Sequence, residues 1–352
     1  MTVTYHAGRR IQGLDSDRTG TQLPLGSVGG WVEVGRTTLG EASSTIDVTS
    51  LPDKRYYMIL SHYTKTATLG ANLRMNGLSS LTYSQRKSLN GAPDGTDVSQ
   101  AGWYDLSGTN DYPTFNVLYF ANRSANEKLG LGWLIDQEGN GAGIAPHRGE
   151  LAYKNSTTSS AIDQFTVGTS TSTFATGEAV VLGWDPDDTH ANNFWEELAS
   201  TELTVAGDDL SSGTIPAKKY LWVQAWYKND GAADINNLTR FNGDAGSNYT
   251  SRYSINGAAD VTRTSRTWLD IESGGQDAKM LNMFIINNAS NEKLVIYHQM
   301  DFGAAGAANA PNRREGVGKW ANTSNQITEI NLKQLDAGDY AAGSILKVWG
   351  AD

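Results

Sequence analysis

The chain has 352 residues, with 28 Lys and Arg against 38 Asp and Glu, a net charge of −10, and 19% charged against 39% hydrophobic residues. That is enough apolar material for real cores and too little charge for a disordered chain. The acidic balance argues against a protein that binds nucleic acid directly through a basic surface. Cysteine is absent, which excludes disulfide frameworks, thiolate metal sites and cysteine nucleophiles together.

No apolar run approaches the ~18–20 residues that span a bilayer. The start, Met1 to Arg10, lacks the apolar core of a secretory signal. The expectation is a soluble chain made in the cytosol, without membrane insertion. Its 38 glycines stand well above the usual ~7%, while 8 prolines are few. Gly, Ser, Thr, Asn and aromatics in this mixture suit short strands joined by many turns.

In chain order, residues 1–28 carry Arg9 and Arg10 and then Gly, Asp and Thr, and read as an extended N-terminal arm. The aromatic-rich run Tyr56 to Tyr63 has strand length, as have Thr114 to Phe120, Lys128 to Ile135 and Val180 to Trp184. Asn90-Gly91 supplies the positive φ angles of a tight hairpin turn. The polar join at 185–194 reads as a linker, and Ala191 to Ala199 is the one short stretch with helical character. Beyond it come strands at Lys219 to Tyr227, Lys279 to Ile286, Lys293 to His298 and Ile345 to Trp349, with Asn256-Gly257 as a second hairpin turn.

The two series repeat each other. Arg74 to Ala92 aligns without a gap to Arg240 to Ala258, with 9 identities over 19 positions. Asn126-Glu127-Lys128-Leu129 recurs as Asn291-Glu292-Lys293-Leu294, and Ala145-Pro146-His147-Arg148 as Ala310-Pro311-Asn312-Arg313. A period this far above the ~20–50 residues of solenoids makes each copy a whole domain. The expected fold is all-β: two tandem antiparallel β-sandwich, jelly-roll-like domains at 29–184 and 195–352, from an internal duplication.

On the strand through Trp222, that residue, Gln224 and Trp226 share one face, while Leu221, Val223, Ala225 and Tyr227 share the other. A sandwich strand needs only one buried face. The second face is therefore covered by loops or the other domain, or it is an inter-subunit contact, where Trp and Tyr dominate.

Catalytic constellations are poorly represented. There is no G-x-S-x-G elbow, H-E-x-x-H or phosphate-binding Gly-rich loop. The five histidines are scattered, and neither His62 nor His147 has a histidine in the other copy. Glu127 with Glu150, and Glu292 with Glu315, are the only recurring carboxylate pairs. Arg148 and Arg313 stand two residues before the second Glu as structural partners. No cofactor is expected. Calcium is the most plausible ion, since it takes oxygen ligands from acidic and amide loops. The weak candidates are Asp185, Asp187 and Asp188 at the join, and Asn242, Asp244 and Asn248 in a Gly-rich loop; turn-forming explains both sets as well. Arg9 and Arg10 suit docking on an acidic neighbouring subunit. Trp103, Tyr104, Trp268 and Asp270 have the composition of a sugar platform.

His6 to Gly13, Trp31 to Leu39, Arg240 to Tyr249 and Ala310 to Arg313 together resemble uncharacterised proteins of marine tailed viruses of bacteria and archaea and of environmental viral contigs. The resemblance covers the full length, and Met75-Asn76-Gly77-Leu78 departs from the Phe-Asn-Gly-Asp form of the second copy. It implies a virion structural protein: a capsid, capsid-surface, tail or fibre component that associates with itself and with other virion proteins. Two alternatives stand beside it, a glycan-binding module for host attachment and a double-jelly-roll major capsid subunit.

Overall fold

The computed structural model of the chain describes residues 30–68, 70–108, 111–186, 193–231, 237–271, 278–301, 307–334 and 338–352. The expected arm at 1–28 with Arg9 and Arg10, and Asp187 and Asp188 of the join, lie outside the described residues. The first half contains β1 (Val32–Thr38), β2 (Thr45–Val48), β3 (Tyr56–Lys65), β4 (Ala71–Met75), β5 (Tyr83–Leu89), β6 (Gly95–Gln100), β7 (Thr114–Ala121), β8 (Lys128–Asp136), β9 (His147–Asn155), β10 (Phe165–Thr169) and β11 (Phe174–Trp184). The second contains β12 (Glu196–Glu202), β13 (Asp209–Ser211), β14 (Tyr220–Tyr227), β15 (Asn237–Phe241), β16 (Tyr249–Ile255), β17 (Val261–Arg266), β18 (Leu269–Asp270), β19 (Lys279–Ile286), β20 (Lys293–Asp301), β21 (Asn312–Trp320), β22 (Ile330–Gln334) and β23 (Ile345–Ala351).

The chain is all-β, and the ladders between these strands are antiparallel. The first half pairs an eight-stranded sheet, β1-β11-β3-β7-β8-β9-β5-β6, with a three-stranded sheet, β2-β10-β4. The second half has the same order, β12-β23-β14-β19-β20-β21-β16-β17 over β13-β22-β15-β18. The extra strand β18 stands where the first half has only the bridge between Leu73 and Trp103. Each half is a sandwich because period-2 alternation sends one face of the large sheet onto the small one. Tyr57, Ile59 and Tyr63 of β3 meet Ile46, Leu73 and Val167 in the first core. Leu221, Val223, Ala225 and Tyr227 of β14 meet Leu210, Phe241 and Leu332 in the second.

The turns follow the Asn-Gly chemistry: Asn90 and Gly91 have φ of 52° and 72°, and Asn256 and Gly257 have 53° and 74°. The join departs from expectation, since from Glu196 onward the stretch with helical character is strand β12, paired with β23. A helix that short is marginal by itself, and the open edge of β23 offers it a full ladder instead. Close packing sets one glycine: a Cβ on Gly316 would come within 2.3 Å of the Tyr297 ring, and that ring is held by its hydroxyl on the Asp270 carbonyl at 2.8 Å. Gly316→Ala is expected to destabilise the fold by about 1–3 kcal/mol, read as a lowered denaturant midpoint with an unchanged slope.

Candidate interaction surfaces

The second faces of the two large sheets pack on each other, giving four layers with a third apolar cluster in the middle. Met58, Leu60, Phe115 and Ile135 of the first half meet Tyr220, Ile286, Leu294 and Trp349 of the second. Trp222 is packed against this central cluster and not left open. Its ring stacks on Phe284 at 5.4 Å and touches Trp195 and Trp349, and its Nε1 donates to Asn282 Oδ1 at 2.7 Å.

Charge is buried along this seam, and nearly all of it is paired. Glu178 accepts from Thr38 and Tyr220, lies 2.9 Å from Lys219 Nζ and 3.2 Å from Arg36 Nη1, and is 4% exposed. Burial alone would raise its carboxyl, but hydrogen bonds from Thr38, Lys219 and Tyr220 outweigh it and hold the group down at about 2. Arg148 reaches across to Asp260 at 2.7 Å, both side chains 3% exposed, and also pairs with Glu150. Arg252 Nε donates to the Pro146 carbonyl at 2.7 Å. Lys319 pairs with Glu292 at 3.2 Å beneath the loop after β8, donating to the carbonyls of Gln137 and Gly139. Three histidines, His62, His147 and His298, are largely but not wholly buried at or beside the seam, and desolvation lowers each to about 4.

The two faces are staggered, so each leaves one end open. On the first half the open end is a groove of about 530 Å³ walled by Trp31, Tyr56, Tyr119, Leu129, Leu131 and Trp184, with Leu131 54% exposed. On the second half, Trp226 stands beside Met280, and Met280 beside Met300, in one exposed row across β14, β19 and β20. Here the inter-subunit reading of the Trp strand keeps its place, because Trp226 is 44% exposed.

The other sequence candidates fall elsewhere. Asp185 lies 3.7 Å from Arg55. Asn242 Oδ1 accepts from the backbone of Thr328 and Glu329. Asp244 accepts from Gly246, Asn248 and Trp320, so the side-chain oxygens of Asn242 and Asp244 are engaged by protein donors, and among the described residues no cluster of three metal-ligating side chains occurs. The recurring carboxylates sit in ion pairs: Glu127 with Lys154, Glu150 with Arg148, Glu292 with Lys319 and Glu315 with Arg313. Trp103 is wholly buried, its Nε1 donating to the carbonyls of Ser84 and Lys154. The sugar platform is thereby broken, with Trp268 covered by the Arg266 guanidinium at 4.6 Å and Asp270 paired with Arg314.

Sequence reasoning passed over Trp31, Leu129, Leu131, Met280 and Met300. A signal was present in β8, whose alternation is inverted. Gly130 and Gly132 face the core, where a Cβ would strike Phe120 and Leu118, while Leu129 and Leu131 face outward.

No protein-family model matches the chain, and no curated protein matches it. Among solved structures, mouse laminin alpha1 chain domains LG4-5 align over 91% of this chain and 90% of theirs, at 10% identity and a TM-score of 0.22. The N-terminal β-barrel domain of Pseudomonas aeruginosa OprF aligns over 76% and 97%, at 6% identity and a TM-score of 0.13. At these TM-scores neither likeness bears on the fold or the function, and the β-sandwich architecture rests on the sheets themselves.

Proposed function

We propose that the chain is a non-enzymatic structural protein of a virus particle, a capsid-surface, capsid or tail component that arose by internal duplication and acts by associating with copies of itself and with neighbours. The observation that carries this reading is the apolar outer face of each large sheet: one end of it is consumed in the seam and the other is left open on both halves. Exposed apolar patches of this kind mark association surfaces. The viral assignment rests on the resemblance of the His6–Gly13, Trp31–Leu39, Arg240–Tyr249 and Ala310–Arg313 segments. The paired state of the recurring carboxylates, each in an ion pair, supports an architectural role for them. A glycan-attachment role has less support, with Trp103 in the core, and a major capsid subunit ranks below an accessory one, because tailed viruses build shells from another fold.

Light scattering of the purified chain, with and without residues 1–28, tests the reading. A mass above that of one chain is expected. If the mass falls on removing residues 1–28, the arm contributes to the assembly; a single-chain mass in both forms at every concentration overturns the association reading.

A further inference from the structure

We propose that copies of this chain join head to tail, the Trp226–Met280–Met300 row of one entering the Trp31–Tyr56–Leu131 groove of the next. This rests on the association reading above and names its surface. The warrant is the asymmetry of the seam. Matched strand for strand, Tyr56 corresponds to Tyr220, since each heads its strand and faces the same neighbours, Ala121 and Trp184 in one half, Ile286 and Ala351 in the other. By the same ladders Leu129 and Leu131 correspond to Leu294 and Ile296, and His62, Phe115 and Ile135 to Trp226, Met280 and Met300. Within the chain, the first half contributes its Phe115–Ile135 end and the second its Tyr220–Leu294 end. Trp133 and His298 meet as counterparts, at 4.9 Å; elsewhere the contact between these like halves is heterologous, and a heterologous contact leaves one copy of each surface unused.

The unused surfaces keep the character of the used ones. Trp31 packs on Tyr119 at 6.1 Å in the open groove, as Trp195 packs on Phe284 at 6.3 Å in the closed seam. The Lys154–Glu127 pair lies exposed beside the groove at 3.3 Å, where its counterpart Lys319–Glu292 is buried at 3.2 Å.

The charges are also duplicated. Across the seam Arg148 pairs with Asp260 and Arg252 donates to the Pro146 carbonyl. Their counterparts are Arg313 with Asp94 and Arg86 with Pro311, and all four are exposed. A second copy whose second half is set against the groove as the first half is set against the second brings Arg313 of one chain to Asp94 of the next and covers the apolar row. The result is an open filament or a closed ring of chains, according to the rotation per step.

Sedimentation velocity on the full chain and on variants at exposed positions tests this, with circular dichroism to establish that each variant is folded. Leu131→Asp and Trp226→Asp are each expected to weaken association about 30-fold or more, as loss of a central apolar anchor does. Mixed in equal amounts, the two are expected to form a species of two chains and no larger, since each keeps one different intact end. Asp94→Arg weakens association about tenfold, and adding Arg313→Glu in the same chain restores it. Assembly that persists in both apolar variants overturns this surface while leaving the association reading intact. A mixture that stays single-chain, or a charge swap without rescue, likewise overturns it. An intact chain that is single at every concentration overturns both.

Discussion

Between pH 6.5 and 4 the protein is expected to lose about 3 kcal/mol of stability for each of His62, His147 and His298. All three are held neutral by burial, at about 4 against an ordinary 6.5. Cations add to the effect: Lys219 and Arg36 near His62, Arg252 near His147, and Arg148 and Arg313 near His298. Glu178 opposes it only at His62, and Asp105 only at His147. Because the folded values are depressed, the unfolded chain takes up protons first as the pH falls below 6.5. Stability is complete above that value and its loss is complete once the pH passes 4. Glu178, held at about 2, adds a second loss between about 4.5 and 2, again because the unfolded chain protonates first. Denaturant midpoints measured from pH 8 to 3 test this. His298→Asn is expected to flatten the upper part of the curve, and a midpoint unchanged between pH 7 and 4.5 contradicts the account.

Arg148→Met should be among the most damaging single substitutions, costing about 3–5 kcal/mol. Methionine matches the volume of the stem, so the loss comes from Asp260, left 3% exposed without the guanidinium that answers it. Glu150 loses the same partner, and burial already raises its carboxyl despite Arg148. Adding Asp260→Leu to Arg148→Met is expected to recover a large part of the loss, because a buried pair replaced by apolar groups costs far less than a pair broken on one side. Chemical denaturation of the two variants separates these outcomes. Equal losses in the single and double variants would mean that Arg148 acts by packing alone.

Much of the architecture is legible in local pattern. Strand periodicity, the Asn90-Gly91 and Asn256-Gly257 turns and the repeated segments carry it, since each depends on neighbouring residues only. The surfaces were less so. Trp222 and Trp226 lie two residues from each other's nearest shared neighbour, Gln224, on one face of one strand, yet one is packed in the seam and the other is open. What separates them is the stagger between two sheets, a long-range property without local periodicity. Trp103 and Trp268 are indistinguishable by composition; the bridge to Leu73 and the indole bonds to the Ser84 and Lys154 carbonyls hold Trp103 in the core. Asn242, Asp244 and Asn248 have the residue types of a calcium loop, but whether such oxygens point at an ion or at the backbone of Glu329 and the indole of Trp320 depends on strands distant in sequence. The inverted alternation of β8 is the one local sign of an outward-facing apolar strand, and composition hides it because leucine and glycine both suit a strand interior.

Electron micrographs of the intact chain, spread at the concentration where its mass exceeds one chain, test the central claim most directly. The account predicts rows or rings in which every chain meets its neighbour by opposite ends. Single particles, or closed pairs related by a twofold axis with groove against groove, would contradict it.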